Sequence, residues 1–161
     1  MYMTKAKTLL HLVAKKLTKK IVAADRADLE KALSYIDGYW ENLTKLHQKD
    51  EGTIIGLKHP YVVPASQPKA MFTFEEQYYW DSYFTALGLA GGKHQNLADG
   101  MLENLLELLD RFSFIPNANR MYHMSHSQPP VLTRYIRLIF ETGNKNKAWL
   151  REKIAAAERE Y

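Results

Sequence analysis

The sequence predicts an all-α fold, and three observations carry that prediction. Apolar residues recur at spacings of three and four along most of the chain. No convincing series of alternating apolar and polar residues marks a sheet. Glycine- and proline-rich breaks separate the periodic stretches. About five or six helices joined by long polar loops are expected. The 161 residues suffice for one domain and not for two full cores. With 46% apolar and 25% charged residues, the balance is that of an ordinary globular protein.

The elements follow in chain order. In residues 1–24, Leu9, Leu10, Val13, Leu17 and Ile21 alternate with lysines and read as a basic amphipathic helix. As a secretion signal the stretch is too short, is broken by His11, and runs into Lys15 and Lys16; as an organelle-targeting segment it lacks arginine and serine. Packing on the rest of the chain is the simplest reading, and an anionic membrane surface is the alternative. The body, residues 25–161, opens with Asp25 and Asp28 in the first turn of a helix whose apolar face is Leu29, Leu33, Ile36 and Trp40. Residues 50–72 hold Gly52, Gly56, Pro60, Pro64 and Pro68 and read as an extended connector. A helix is expected from near Gln77 to Ala90, ending at Gly91-Gly92. Leu97, Met101, Leu105, Leu108 and Phe112 form the stripe of the next. A turn-rich loop runs from Phe114 to Pro130. Helices from Val131 to Glu141 and from near Asn146 complete the series.

Charge and composition exclude several functions. Residues 1–24 carry six lysines and no acid, so the rest of the chain has 16 basic against 18 acidic residues. The formal +4 therefore belongs to the head, and the body has no basic surface excess of the kind nucleic-acid binding needs. No apolar run approaches the roughly 18 residues that span a bilayer, so no stable membrane insertion is expected. The chain has no cysteine, which removes disulfide scaffolds, thiolate zinc sites and cysteine nucleophiles. That composition fits a reducing compartment, and a cytoplasmic location is the expectation.

Two constellations carry chemistry. Tyr78-Tyr79-Trp80-Asp81 sits where a helix begins, and a carboxylate beside Trp80 and Tyr83 must be paired, hydrogen-bonded or facing a wet cleft. Asn117, Asn119, Arg120, Ser127 and Gln128 make the second loop rich in amides and hydroxyls. Aromatic faces with amides and a carboxylate suit a carbohydrate or other polyol. The competing readings are buried core rings for the first and self-satisfied loop amides for the second. Glu75 and Glu76 are adjacent, point to different sides, and make a poor acid/base pair. His123 and His126 lack a third ligand nearby, so no metal site is expected.

The motifs then acquire a family context. Tyr35-Ile36-Asp37-Gly38-Tyr39-Trp40, Pro60-Tyr61-Val62-Val63-Pro64, and Glu76-Gln77-Tyr78-Tyr79-Trp80-Asp81-Ser82-Tyr83-Phe84 with Leu87-Gly88-Leu89 resemble the first signature region of trehalases. Ile115-Pro116-Asn117-Ala118-Asn119-Arg120 and Ser125-His126-Ser127-Gln128-Pro129-Pro130 resemble the second, in the same order and spacing. The resemblance runs from about residue 30 to the end. It implies glycoside hydrolase family 37, an (α/α)6 toroid of which this chain is an incomplete part, and inverting hydrolysis of α,α-trehalose to glucose. It implies that Phe74 and Tyr78 line the sugar subsite, that Trp80 and Asp81 meet the sugar, and that Asn117, Ser127 and Gln128 contact hydroxyls. It implies no cofactor. It leaves Asn119 and Arg120 as loop structure.

Two departures fall on the sugar-contacting face: Thr73 and His126 stand where the family pattern has arginines. Both supply fewer fixed donors than a guanidinium. They keep open another small α-glycoside, such as a glucosylglycerate or mannosylglycerate, or a non-catalytic sugar-binding half-domain. The family's acid and base lie downstream of the Gln-Pro-Pro stretch, so no residue here inherits either role. The expected partners are a small sugar substrate, with a complementing C-terminal chain or self-association through helix faces that a part-toroid exposes.

Overall fold

A computed structural model describes residues 26–66 and 73–160. The basic segment 1–24 and its expected amphipathic helix lie outside the described residues. The chain divides into two units, residues 1–40 and 41–161. In the first, helix α1 (Arg26–Leu43, whose last turn enters the second unit) runs through Gly38 without ending there. Exposed ion pairs join Arg26 to Glu30 (3.4 Å) and Lys31 to Asp28 (3.8 Å) along its surface, and Tyr35 stacks on Tyr39 at 5.4 Å. Each such exposed pair contributes only about 0.3–0.5 kcal/mol.

The second unit continues with two-residue strands β1 (Thr44–Lys45) and β2 (Tyr61–Val62), paired antiparallel with Thr44 opposite Val62 and Lys45 opposite Tyr61. Helices α2 (Tyr79–Leu89), α3 (Gln95–Phe112), α4 (Leu132–Thr142) and α5 (Lys147–Glu160) follow, with a 3₁₀ turn at Met121–His123 between α3 and α4. Five helices among the described residues make the class all-α, as the periodicity predicts.

Helix α3 is the hub, packing against α2, α4, α5 and β2. Of its predicted stripe, Met101, Leu105 and Leu108 are fully buried, joined by Ala98, Leu102 and Leu109, while Leu97 and Phe112 at its ends are half-buried. Each fully buried leucine contributes about 1.5–3 kcal/mol. Leu132, Tyr135, Ile136 and Ile139 form the inner face of α4, where the Tyr135 hydroxyl donates to Ala98 O (2.8 Å). Lys153 anchors α5 on α3 through Glu103 (2.8 Å).

Helix ends lie close to their sequence signals. Ala90 N–H closes α2 on Ala86 O, and Gly91 follows at φ +79°, a conformation that favours glycine. Ser113 caps α3 in the left-handed region, with its N–H on Leu109 O. Helix α4 starts against the Tyr79 hydroxyl, which accepts from the Val131 and Leu132 N–H groups (3.0 and 2.9 Å). That satisfies two donors a helix start leaves without intrahelical partners.

The connector is more structural than a polar loop. Ile54, Ile55, Leu57, Tyr61, Val62 and Val63 are all buried. Its prolines prevent a helix, so its backbone bonds go outward: Ile55 N–H to Asn119 O, Leu57 N–H to His47 O, Val63 N–H to Leu43 O. Gly56 is fixed by space, since a Cβ there would lie 2.5 Å from the Lys49 backbone. Its N–H donates to Asp50 Oδ1 (2.7 Å), and Arg111 of α3 grips both Gly56 O (3.0 Å) and Asp50 (3.1 Å). The Gly56 hydrogen bond, with Arg111, holds the Asp50 carboxyl below its ordinary range.

Candidate functional site

Three segments meet at the start of α2: residues 74–81, 117–123 and 126–128. Tyr79 N–H donates to Asn117 O (3.1 Å), Asn119 N–H to Gln77 O (3.4 Å), and Tyr78 bridges Ala118 in antiparallel fashion. Asn117 N–H donates onward to His126 O (2.9 Å). The chain therefore adds the third segment to the second as the second is added to the first.

Beneath this lies a buried amide network. Asn119 Oδ1 accepts from Gln77 N–H (2.7 Å), and its Nδ2 donates to Ile55 O (2.7 Å). Gln77 Nε2 donates to Met101 O (2.8 Å), and its Oε1 accepts from Asn104 Nδ2 (2.9 Å). Asn104 also pairs with both backbone groups of His59. All three amides are fully buried and paired, so each loop is fixed to α3 or to the connector. Beside them half-buried Arg120 forms an ion pair with buried Glu76 and donates to Thr53 Oγ1 (2.7 Å). Glu75 accepts from Lys45 (3.0 Å) and Thr73 (3.0 Å) and contacts His47 (3.2 Å). Burial opposes its charge, yet those hydrogen bonds hold its carboxyl below the ordinary range. Burial pushes the Tyr61 hydroxyl, which donates to Glu75 O, up to about 12.

On this floor the exposed face is assembled. Trp80 N–H donates to Gln128 Oε1 (2.8 Å), and Gln128 Nε2 donates to Asp81 Oδ2 (3.4 Å). Gln128 thus clasps the first turn of α2 through one backbone and one side-chain group. Trp80 is 39% and Phe74 43% exposed, and their rings stand edge-on to Phe84 and Tyr78 respectively. Half-buried Tyr78 also meets His123 edge-on at 5.7 Å, and Asn117 Nδ2 donates to His123 Nδ1 (3.3 Å). Burial, then Glu76, raises the Tyr78 pKa; burial, then His126, lowers that of His123. The face combines accessible aromatic planes with a carboxylate and amides, the chemistry that receives a polyhydroxylated ring.

The sequence model of the trehalase family matches residues 6–161. The chain belongs to the trehalase family. It is 36% identical over 129 residues to periplasmic trehalases of Escherichia coli and Xanthomonas axonopodis pv. citri, covering 79% of this chain and 21% of those proteins. It is similar in structure to a neutral trehalase from Saccharomyces cerevisiae, with a TM-score of 0.56 and 33% identity over 64% of this chain and 18% of that one. The chain spans about a fifth of the length of these trehalases. Their names correct the cytoplasmic expectation: the bacterial relatives are periplasmic. A cysteine-free chain has no thiol to protect and no disulfide to form, so its composition does not discriminate compartments.

In this trehalase-family chain, Trp80, Asp81 and Gln128 meet directly, Phe74 meets Tyr78, and Asn117 is tied to both groups through Tyr79 N–H and His123. Ser127 is exposed, and its hydroxyl donates to Gln128 O (3.3 Å). Thr73 is turned onto Glu75, and His126 Nδ1 onto Ser125 Oγ (3.1 Å). Asn119 and Arg120 are structural. Sequence reasoning missed Gln77 and Asn104. Asn104 lies three residues after Met101 and four before Leu108, so a polar residue on the apolar stripe was its available signal. Gln77 gave none.

Proposed function

We propose that the chain is the sugar-binding portion of a trehalase, an inverting glycosidase that hydrolyses α,α-trehalose to glucose. The observation that carries this is the clasp of Gln128 on Trp80 and Asp81 at the start of α2. In this reading a glucose ring stacks on Trp80, Phe74 and Tyr78 close one side, and Asp81, Asn117, Ser127 and Gln128 hold hydroxyls. Inverting hydrolysis needs a carboxylic acid and a carboxylate roughly 6.5–9.5 Å apart. Asp81 accepts from the Gln128 amide, and the reading gives it a binding role. The acid and base come from the rest of a trehalase, as does the surface that covers the apolar groove of α4 and α5. That groove, a cavity of about 610 Å³, is lined by Ile136, Phe140, Leu150 and Ile154. The reading includes a periplasmic location, supported by the names of the bacterial relatives. Release of the protein from intact cells by osmotic shock checks it.

Calorimetry on the 161-residue chain tests the reading. Saturable trehalose binding without glucose release is expected, with affinity reduced at least tenfold in Asp81→Ala. Glucose release abolished by that substitution would give Asp81 a catalytic role and overturn the assignment. A second reading, another small α-glycoside, rests on Thr73 and His126 at the two arginine positions. A substrate panel on the completed enzyme decides it; unchanged trehalose turnover after Thr73→Arg and His126→Arg would remove its basis.

A further inference from the structure

His123 occupies the last position of the 3₁₀ turn, half-buried among rings. Tyr122 lies 4.7 Å, Tyr78 5.7 Å and His126 5.7 Å from it, all edge-on. Its Nδ1 receives the Asn117 Nδ2–H (3.3 Å). That direction requires an unprotonated Nδ1 and therefore a neutral ring with its proton on Nε2. Protonation would turn Nδ1 into a donor facing a donor.

We propose that His123 is a positioning residue for Asn117: its neutral ring holds the amide so that Oδ1 accepts from a sugar hydroxyl, and its protonation releases the amide and weakens trehalose binding. This rests on the sugar-site reading above. The charged and titratable groups facing the ring are Arg120 and His126, which disfavour a second positive charge, and Glu76, which favours one and is already paired with Arg120. Tyr78 and Tyr122 complete the surround. Burial and His126 hold the His123 pKa below its ordinary 6.5. The grip is therefore strengthened toward neutral pH, and it is lost as pH falls below 6.5 through the lowered folded value.

The test is a pH titration of the isotope-labelled chain by NMR, with and without trehalose. The Asn117 side-chain amide is expected to shift with the midpoint of the His123 ring. Trehalose affinity is expected to fall about three- to tenfold across that midpoint, the value of one orienting hydrogen bond. His123→Asn places an amide oxygen near the position of Nδ1 and cannot titrate. Whatever its affinity at neutral pH, it should lose the acid limb. His126→Gln should raise the His123 midpoint. An Asn117 amide indifferent to the His123 titration overturns the proposal. So does trehalose binding with no acid limb, or an acid limb that survives in His123→Asn. Absence of trehalose binding at every pH is a different result: it overturns the sugar-site reading and the sugar half of this proposal together. The amide titration still decides the coupling of the two side chains.

Discussion

Asp81 and Trp80 show how one residue's surroundings set its use. Asp81 could serve as a carboxylate in a wet cleft or as a buried partner to a cation. It lies half-buried at a helix start, with Gln128 as its hydrogen-bond donor. The peptide dipole there favours negative charge, and a hydroxyl can approach the remaining acceptor sites. Trp80 is held by its backbone and presents its ring. Trp80→Ala should therefore weaken trehalose binding by about tenfold, from the lost ring contact, with little change in melting temperature. A large loss of stability would mean that the ring is core. These two residues were legible because aromatics flanking an acid at a helix start have few buried solutions. Gln77 was illegible because its partner is a backbone group 24 positions away, Met101 O, and Asn119, legible as loop structure, hid its partner Ile55 O, 64 positions away; no local pattern reveals either bond.

At the scale of elements, helices α3 and α4 followed from the period of their apolar residues, because burial on one face dictates both pattern and packing. The connector did not. Its run of buried residues between prolines has neither helical nor strand period, and its order comes from bonds to other loops. Two predictions belong here. Gly56→Ala forces a Cβ against the Lys49 backbone and should cost about 1–3 kcal/mol, read by chemical denaturation. The second concerns the end of α5, where Tyr79 donates to Glu160 while capping α4. Burial raises the Glu160 pKa against the opposing hydrogen bond from Tyr79, and its Oε2 has no hydrogen-bond partner among the described residues. A raised folded pKa stabilises below the unfolded value and loses that contribution as pH rises through the folded value. The contribution of Glu160 to the melting temperature should therefore decline as pH rises above about 4.5, opposite in sign to Asp50 and Glu75, and Glu160→Gln should remove that component of the profile. An unchanged profile would show that the carboxylate is solvated.

The whole molecule is a fifth of a trehalase's length and carries an exposed face of aromatic rings, amides and a carboxylate on a floor of buried amides. Its apolar groove between α4 and α5, with Ile154 44% exposed, suits contact with further helices. Alone, the chain should self-associate with rising concentration, and Ile154→Glu should suppress this in sedimentation velocity. The toroid was legible only through the resemblance of its motifs to trehalases, since periodicity counts helices and does not arrange them. The most direct measurement is an amide-resolved NMR titration of the chain with trehalose at neutral pH. The account predicts saturable shifts at the Trp80 indole, the Gln128 and Asn117 side-chain amides and the backbone of Asp81, with α1 and the α4–α5 groove silent. Shifts elsewhere, or none at saturating sugar, would contradict it.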